Sequence, residues 1–270
     1  MTKIKNKTVL ITGGASGLGK LMAERCLKEE AFKVVLWDIN ETALAAVKEE
    51  FITQNLGEVV TYKVDVSQTQ SIVDAAATVL NEVGTVDIVF NNAGIVVGKS
   101  FEEHSHKDID QTININVLGV MHVARAFLPA MIEQGSGHII NIASAAGLIP
   151  NPNMSVYASS KWAVVGWSES LRLEMEATHS EIHVTTVEPS YINTGMFDGV
   201  KAPMLTPIME APYIVDKIMK GVKNNAIIVR EPFMVNAVPI LRGILPTRVF
   251  DFMAKQMGVY DSMNDFKGKH

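Results

Sequence analysis

A strand followed at once by a glycine-rich turn and a helix is the feature that most constrains this chain. Residues 8–12, Thr-Val-Leu-Ile-Thr, are apolar and β-branched, which predicts a buried strand. Glycines stand at positions 13, 14, 17 and 19, and a helical pattern then continues to about Lys28. Such a junction binds anions, because backbone N–H groups and the positive end of the helix dipole face the ligand.

The spacing of these glycines favours a dinucleotide over a nucleoside triphosphate. Gly13 allows the tight turn, Gly17 lets a pyrophosphate approach the backbone, and Gly19 lets the helix pack on the strand. The pattern is Gly-x-x-x-Gly-x-Gly, and Lys20 is not followed by the Ser or Thr of triphosphate-binding loops.

The second predicted strand, 33–38, ends in a carboxylate that bears on the choice of cofactor. Asp38 lies about 20 residues past the glycines, where a carboxylate can accept hydrogen bonds from both hydroxyls of an adenosine ribose. It would repel a 2′-phosphate, and no Arg or Lys stands at positions 14–16 or 39–40 to bind one. We therefore predict NAD rather than NADP. The alternative is that Asp38 caps the following helix, which Asn40 could also do.

The chain continues as an alternation of strands and helices. Strands are predicted at 8–12, 33–38, 58–64, 86–90, 137–142, 182–188 and 226–229. Helices are predicted at 18–28, 41–55, 68–83, 106–133, 156–178 and about 212–223. This alternation is typical of a parallel, doubly wound sheet. We predict an α/β protein, a single-domain Rossmann fold over 1–270 with about seven parallel strands and helices on both faces.

Composition limits the partners and the compartment. Hydrophobic residues are 47% of the chain and charged residues 20%, so a large core can form. The net charge of -5, without a basic block, argues against a nucleic-acid partner. One cysteine, Cys26, excludes an intramolecular disulfide and fits a reducing compartment. With no signal-peptide pattern and no uninterrupted apolar run of ~18 residues, we predict a cytoplasmic protein.

Three side chains in the middle of the chain indicate proton-transfer chemistry. Tyr157 and Lys161 are four residues apart in a predicted helix, so they lie on one face, a turn apart. A nearby ammonium favours the phenolate, which predicts that Lys161 lowers the pKa of Tyr157 from about 10. Ser144 follows the strand 137–142, and ligands of open α/β sheets bind at the carboxyl ends of strands. Its hydroxyl could hold a substrate oxygen beside Tyr157.

Four asparagines stand in apolar surroundings, where an amide is costly unless it is hydrogen-bonded. Asn91 and Asn92 follow the strand 86–90, and we predict that they both brace neighbouring strands and line a cofactor. Asn114 and Asn116 lie among apolar residues of the helix 106–133. For these two, a structural bond to the backbone and a functional role are both open.

Together these motifs resemble those of the short-chain dehydrogenase/reductase family. Segments 12–19 and 91–94, Ser144 and Tyr157-x-x-x-Lys161 match the family in order and spacing, within a likeness that covers about residues 5–230. The resemblance implies a catalytic set of Asn116, Ser144, Tyr157 and Lys161; Asn116 is preferred to Asn114 because the family's asparagine stands three residues before a glycine. It implies that the cofactor is bound by Gly13, Ser16, Gly17, Leu18, Gly19, Asp38, Asp65, Val66, Asn92, Ala93, Gly94, Tyr157, Lys161, Pro189, Ile192 and Thr194.

The family's mechanism implies a role for each catalytic residue. Tyr157 would exchange the proton of the substrate oxygen, Ser144 would hold that oxygen, and the hydride would pass between substrate carbon and nicotinamide. Lys161 would lower the pKa of Tyr157 and bind the nicotinamide ribose, and Asn116 would position a water linked to Lys161. Ser190 departs from the family, which has glycine after the proline, and serine allows fewer backbone angles.

Two apolar segments towards the C-terminal end are irregular. Residues 195–212 are long for a simple connection, and a substrate lid is predicted over 195–225. Residues 232–262 are strongly apolar but interrupted by prolines. This extension could cover the substrate cleft, pack on a second subunit or lie on a membrane surface, and the first two alternatives are favoured. It is similar to the extension of family members that act on retinoids, steroids or other long apolar alcohols.

The leading hypothesis is an NAD(H)-dependent oxidoreductase that interconverts an apolar alcohol and its ketone or aldehyde. The alternatives are an NADPH-dependent reductase of 3-oxoacyl thioesters and a dinucleotide-sensing module without turnover. The scattered histidines include one close pair, His104 and His106, so no metal site is predicted. The resemblance also implies a homodimer or homotetramer that associates through the helix carrying Tyr157.

Overall fold

A computed structural model describes residues 1–268, and its centre is a seven-stranded parallel sheet. In chain order the strands are β1 (Thr8–Thr12), β2 (Lys33–Asp38), β3 (Val59–Lys63), β4 (Ile88–Asn91), β5 (Gly137–Ile142), β6 (Ile182–Pro189), β7 (Ile192–Asn193), β8 (Met209–Glu210) and β9 (Ile228–Glu231). The sheet has the order β3-β2-β1-β4-β5-β6-β9, while β7 and β8 pair only with each other. The predicted fold class is confirmed; the predicted domain also includes residues 269 and 270, which lie outside the described residues.

Helices cover both faces of the sheet. They are α1 (Gly17–Lys28), α2 (Glu41–Thr53), α3 (Thr69–Glu82), α4 (His106–Ile113), α5 (Val120–Gln134), α6 (Ser155–Thr178), α7 (Ala211–Lys223), α8 (Ala237–Ile244) and α9 (Thr247–Gln256). Apolar residues of α1, α2 and α7 pack on one face, and those of α3, α5 and α6 pack on the other. This two-sided cover explains why the strands are almost continuously apolar.

The strand order reverses at β1, and this reversal positions the site. β1 pairs with β2 on one side and with β4 on the other. In doubly wound sheets a crevice opens at such a point, outside the carboxyl ends of the strands. Gly13 follows β1, Asn92 follows β4, Ser144 follows β5 and Ser190 follows β6, so four predicted site segments begin at one edge.

The predicted helix 106–133 is a single helical run, His106–Gln134, whose middle part, Asn114–Gly119, is wound as a π-helix. By length and composition this run could cross a bilayer, although polar residues interrupt its apolar pattern. In the structure Val123, Phe127 and Met131 pack against the sheet, so the run is a core helix. Its π-helical turn carries Asn116, and such turns often occur at functional sites.

Each predicted strand and helix lies within two residues of an observed one, and two predicted segments need correction. The last strand lies at Ile228–Glu231 and not at 226–229, because it pairs with the end of β6, where Arg230 Nε donates to Glu188 Oε2 at 2.5 Å. The predicted lid 195–225 contains α7, whose side chains Ile214, Ile218 and Val222 are buried in the core. The irregular part is therefore 194–208, which leaves and rejoins the fold at the β7–β8 ladder.

Candidate active site

A cleft along the carboxyl edge of the sheet collects the residues that the sequence associated with a cofactor. Gly19 is the exception, because it lies beneath the glycine loop, where an added Cβ would be 2.1 Å from the carbonyl oxygen of Gly13. Gly19 thus permits α1 to pack against the turn. The cleft is lined by Gly13, Ser16, Gly17, Leu18, Asp38, Asp65, Val66, Asn92, Ala93, Gly94, Tyr157, Lys161, Pro189, Ile192 and Thr194.

The glycine loop fits a pyrophosphate. Gly13 and Gly17 have positive φ angles of 64° and 52°, a region that glycine occupies without strain. A Cβ placed on Gly17 would have Thr194 as its nearest neighbour, 3.7 Å away, so the backbone faces the cleft here. Because α1 begins at Gly17, the N–H groups of its first turn point towards the same space.

Asp38 connects the glycine loop to the end of β2. Its Oδ2 accepts a hydrogen bond from the Ala15 N–H at 3.1 Å, and its Oδ1 accepts one from the Asn40 N–H at 3.0 Å. The cap of α2 is Asn40, whose side chain accepts from the Ala43 N–H at 3.0 Å. The helix-capping alternative therefore applies to Asn40, and Asp38 lies in the cleft wall.

The two consecutive asparagines after β4 differ in their contacts. The amide of Asn91 donates to Asn141 Oδ1 at 2.9 Å and thereby joins β4 to β5. The amide of Asn92 donates to the carbonyl oxygens of Thr12, at 2.9 Å, and Gly13, at 3.2 Å. Asn91 is thus a structural brace, whereas Asn92 holds the glycine loop and also lines the cleft.

Tyr157 and Lys161 are buried side by side on α6. Lys161 Nζ donates to the carbonyl oxygen of Ile142 at 2.8 Å and lies 5.7 Å from the centroid of the Tyr157 ring. Burial lowers the pKa of Lys161 to about 8 and raises the pKa of Tyr157, an effect that the nearby Ser144 hydroxyl opposes in part. The predicted lowering of the Tyr157 pKa is therefore wrong, because loss of water penalises the phenolate more than Ser144 favours it, and Tyr191 raises the pKa further.

Ser144 stands between β5 and a short 3₁₀ turn. Its hydroxyl accepts from the Ala146 N–H at 3.1 Å and donates to the carbonyl oxygen of Pro189 at 3.4 Å. These two contacts hold the side chain at the carboxyl edge of the sheet. The long second distance indicates a weak bond, so the hydroxyl is free to turn towards a substrate oxygen.

Asn116 is fully buried in the π-helical turn of the run His106–Gln134. Its Oδ1 accepts from the Ile95 N–H and its Nδ2 donates to the Ile95 carbonyl oxygen, both at 2.9 Å; Nδ2 also donates to Ser160 Oγ at 3.1 Å. A Cβ on Gly94 would lie 3.3 Å from Asn116 Oδ1 and 3.7 Å from Lys161 Nζ. Asn116 thus makes the structural bonds to the backbone that the sequence analysis left open, and it also lies close to Lys161.

A second cavity adjoins the cleft and is mostly apolar. Ser144, Ser190 and Phe197 line both spaces, so they mark the junction. The extension 232–262 forms much of the cavity wall, which agrees with the first of its three alternatives. Its contributing residues are Met234, Val235, Ala237, Val238, Leu241, Phe250, Met253, Ala254, Met257 and Val259.

The segment 194–208 and the C-terminal residues form one cover over this cavity. The Lys201 N–H donates to the Ser262 carbonyl oxygen at 3.0 Å, and the Met204 N–H donates to that of Met257 at 2.8 Å. Ser190 does not have a positive φ angle, and its N–H donates to the Glu231 carbonyl oxygen at 2.8 Å. The serine that departs from the family's pattern therefore fits its loop without strain.

Sequence reasoning missed the aromatic residues at the junction. The Phe197 ring packs edge-on against Tyr157 and Tyr191, with centroid distances of 6.1 and 5.2 Å. The Tyr191 hydroxyl shares hydrogen bonds with the Asn151 amide, at 3.0 Å, and the Ser262 hydroxyl, at 2.9 Å. These residues come from three separate parts of the chain, 151–157, 191–197 and 262, and share no spacing pattern, so only the folded structure brings them together.

Many known proteins are similar to this chain in sequence or in fold. The family model described as short chain dehydrogenase matches residues 7–204. Epidermal retinol dehydrogenase 2 of Mus musculus is 34% identical over 269 residues, which cover 98% of this chain and 87% of that protein. Estradiol 17-beta-dehydrogenase 11 of Macaca fascicularis is 32% identical over 269 residues, which cover 98% of this chain and 88% of that protein.

Solved structures agree with the family match. A short-chain dehydrogenase/reductase of Burkholderia phymatum in complex with NAD aligns with a TM-score of 0.82 and 27% identity over 90% of this chain and 95% of its own. A short-chain dehydrogenase of Sphingobium yanoikuyae in complex with NADPH aligns with a TM-score of 0.77 and 27% identity over 97% and 96%. The chain therefore belongs to the short-chain dehydrogenase family and is an NAD(P)-dependent oxidoreductase that acts on CH–OH groups.

Proposed function

We propose that this enzyme uses NAD(H) to interconvert an apolar alcohol and its ketone or aldehyde, with Tyr157 as the general acid and base. The observation that carries the proposal is the junction at Ser144, Ser190 and Phe197, where the cleft meets the apolar cavity. A substrate with its apolar part in the cavity would present its oxygen-bearing end to Ser144 and Tyr157. Large ligand pockets have this composition, with mostly apolar walls and a few placed polar groups.

The cofactor part of the proposal is supported by the glycine loop and Asp38. The residues of the cleft suit a dinucleotide, which supplies the hydride donor or acceptor when bound. Asp38 would bind the adenosine ribose, and a carboxylate there disfavours a 2′-phosphate. The two related structures named above hold NAD and NADPH, so the family accepts either, and NAD is our choice for this chain because of Asp38.

Proton transfer would follow from the protonation states of the buried pair. Because burial raises the pKa of Tyr157, the phenol keeps its proton and can donate it to a carbonyl oxygen during reduction. Ser144 would hold the same oxygen through its hydroxyl. In the direction of alcohol oxidation, the phenol must first lose its proton, so we expect oxidation to need a higher pH than reduction.

The substrate class is supported by the cavity walls. Five methionines line the cavity, and methionine adapts to apolar ligands of irregular shape. The two related proteins named above are a retinol dehydrogenase and an estradiol dehydrogenase, whose names indicate large apolar alcohols. We therefore propose a long or polycyclic apolar alcohol, or its carbonyl form, as the substrate class.

The test is a panel of alcohols and ketones of increasing apolar size, each assayed with both nicotinamide cofactors. We expect turnover with NAD(H), and KM values that fall as the apolar part grows. Tyr157→Phe keeps the ring but removes the hydroxyl, so the rate should fall about 10²–10⁴-fold while NADH binding is retained. Tight NADH binding without turnover of any substrate would instead support the dinucleotide-sensing module.

A further inference from the structure

We propose that the outer face of the C-terminal extension docks on a lipid membrane that carries anionic headgroups, and that apolar substrate enters the cavity from that membrane. We define the docking face as Phe233, Ile240 and Ile244 with the α9 residues Arg248, Val249, Phe252 and Lys255. The docking proposal does not depend on the proposed function. The substrate route does depend on the proposed function.

Helix α8 has two apolar faces instead of one. Val238 and Leu241 line the cavity on the inner face. Ile240 and Ile244 are one turn apart on the outer face, and Ile244 is 75% exposed. Phe233, in the 3₁₀ turn before α8, is 80% exposed. Large apolar side chains at this exposure on one element mark an interaction surface.

Helix α9 repeats this arrangement and adds positive charge. Phe250 and Ala254 are buried and line the cavity. On the outer face, Arg248, Phe252 and Lys255 follow one another at spacings of four and three, so they form one stripe. Phe252 is 64% exposed, and the Arg248 side chain is 96% exposed. Cations beside exposed apolar rings are typical of helices that lie in a membrane interface.

The charge of the extension favours an anionic surface over a second copy of the chain. The extension 232–262 contains three Arg or Lys and two acidic residues, Asp251 and Asp261, a net charge of +1, although the whole chain has a net charge of -5. Asp251 Oδ1 accepts from the Tyr260 hydroxyl at 2.9 Å and is partly buried. A two-fold interface would pair this face with an identical face that carries the same exposed cations, Arg248 and Lys255, so it would gain nothing from charge complementarity. Anionic headgroups attract the same cations.

The cavity lining continues onto this surface. Met204, Met234 and Met253 line the cavity and are also exposed, so an apolar path leads from the docking face to Ser144. The apolar segment Phe233–Ile244 is far shorter than the ~20 residues needed to span a bilayer, so it would lie in the interface. A substrate dissolved in the membrane could then reach the cavity without crossing water.

The experiment is flotation of the full chain with vesicles of phosphatidylcholine containing about one-third phosphatidylserine, and with vesicles of phosphatidylcholine alone. We expect the wild type to float with the anionic vesicles. Ile244→Ser/Phe252→Ser should reduce the bound fraction at least roughly tenfold through lost apolar burial. Arg248→Glu/Lys255→Glu should reduce binding on the anionic vesicles by at least roughly tenfold, since each cation contributes about fivefold.

Matched controls carry the same changes on other exposed surfaces. Ile52→Ser/Val73→Ser removes two exposed apolar side chains, and Lys3→Glu/Lys107→Glu reverses two exposed cations. Both should float like the wild type, and circular dichroism should show all variants folded. The proposal is overturned if the wild type does not bind the anionic vesicles, or if the docking-face variants float with them like the wild type. It is also overturned if the wild type is a dimer and these variants are monomers, since the face would then be a subunit interface.

A separate arm tests the substrate route. A long-chain alcohol dissolved in the vesicles should be turned over more slowly by the docking-face variants, while a short, water-soluble alcohol is turned over at the wild-type rate. An equal loss of turnover rate on both alcohols would contradict the proposed substrate route. Vesicle binding without turnover of any alcohol would leave docking intact and contradict the proposed function.

Discussion

Lys161 Nζ donates a hydrogen bond of 2.8 Å to the carbonyl oxygen of Ile142, at the end of β5, and this bond fixes a cation inside the protein. Burial lowers the pKa of Lys161 from 10.5 to about 8. A cation whose folded pKa is depressed destabilises the fold wherever it remains charged. Helix α6 therefore carries a buried cation that lowers the stability of the fold.

Lys161→Met should remove activity and raise the stability of the dinucleotide-free protein at neutral pH. Below pH 8 the lysine is charged in both states and its cost is fully present, on the order of 3 kcal/mol from the shift in pKa. Between pH 8 and 10.5 the unfolded chain binds more protons, so the wild type gains stability as pH rises. Thermal unfolding of both proteins across this pH range should show that the stability advantage of Lys161→Met decreases as the pH rises. An advantage that does not change with pH would contradict burial of the charged lysine as its cause.

Gly19→Ala should disrupt the glycine loop more than its small size suggests. The added Cβ would lie 2.1 Å from the Gly13 carbonyl oxygen, so the backbone on which the dinucleotide is proposed to rest must shift. We expect a loss of stability of about 1–3 kcal/mol and weaker NADH binding, measured by chemical unfolding and by fluorescence titration. Gly166→Ala is the matched control, because a Cβ there meets nothing within 4 Å and the residue lies within α6. It should raise stability by about 0.5–1 kcal/mol.

Asp38→Asn should weaken the preference for NADH over NADPH. The amide oxygen can still accept from the Ala15 N–H, so the loop is kept, while the charge that opposes a 2′-phosphate is removed. We expect the ratio of the two dissociation constants to change by roughly tenfold, or ~1.4 kcal/mol. Asp65→Asn should change both constants in parallel, because its carboxylate faces a turn with Ser67. An unchanged ratio in Asp38→Asn would remove the basis for proposing NAD.

The sequence predicted those parts of the site that depend on neighbours in the chain. The turn after β1, the carboxylate of Asp38 and the pair on α6 follow from strand, turn and helix patterns within a few residues. The sheet then brings them together, because parallel strands end at one edge. This is why the predicted cofactor residues other than Gly19 line a single cleft.

Properties that arise from distant residues were not predictable in this way. The pKa of Tyr157 depends on its burial, to which the distant residues Tyr191, Phe197 and Met263 contribute. The predicted lid 195–225 includes the predicted helix 212–223, because the sequence does not show that the apolar side of this helix packs in the core. The extension 232–262 has apolar residues on both sides of its helices, a pattern that cannot show by itself which side faces the cavity.

Arg242 should matter for substrate affinity because it holds the cover to the catalytic helix. Its guanidinium lies 4.5 Å from the centroid of the Trp162 ring, next to Lys161, and donates to the Leu148 carbonyl oxygen at 2.7 Å. Arg242→Met should loosen α8, and we expect KM for large apolar substrates to rise several-fold while kcat changes less. Faster proteolysis within the extension should accompany this change. Arg242→Lys should recover part of the affinity, because an ammonium still attracts the ring.

The control for this prediction is Arg248→Met, assayed without membranes. Arg248 is almost fully exposed and contacts only Asp251, at 3.9 Å, in its one salt bridge among residues 1–268. Its loss should leave KM and protease resistance unchanged, since exposed pairs contribute little. If both variants raised KM equally, the effect would come from the loss of positive charge in general. If neither did, the contact of Arg242 with Trp162 would not hold the cover, and the wall of the cavity would depend on the buried apolar side chains alone.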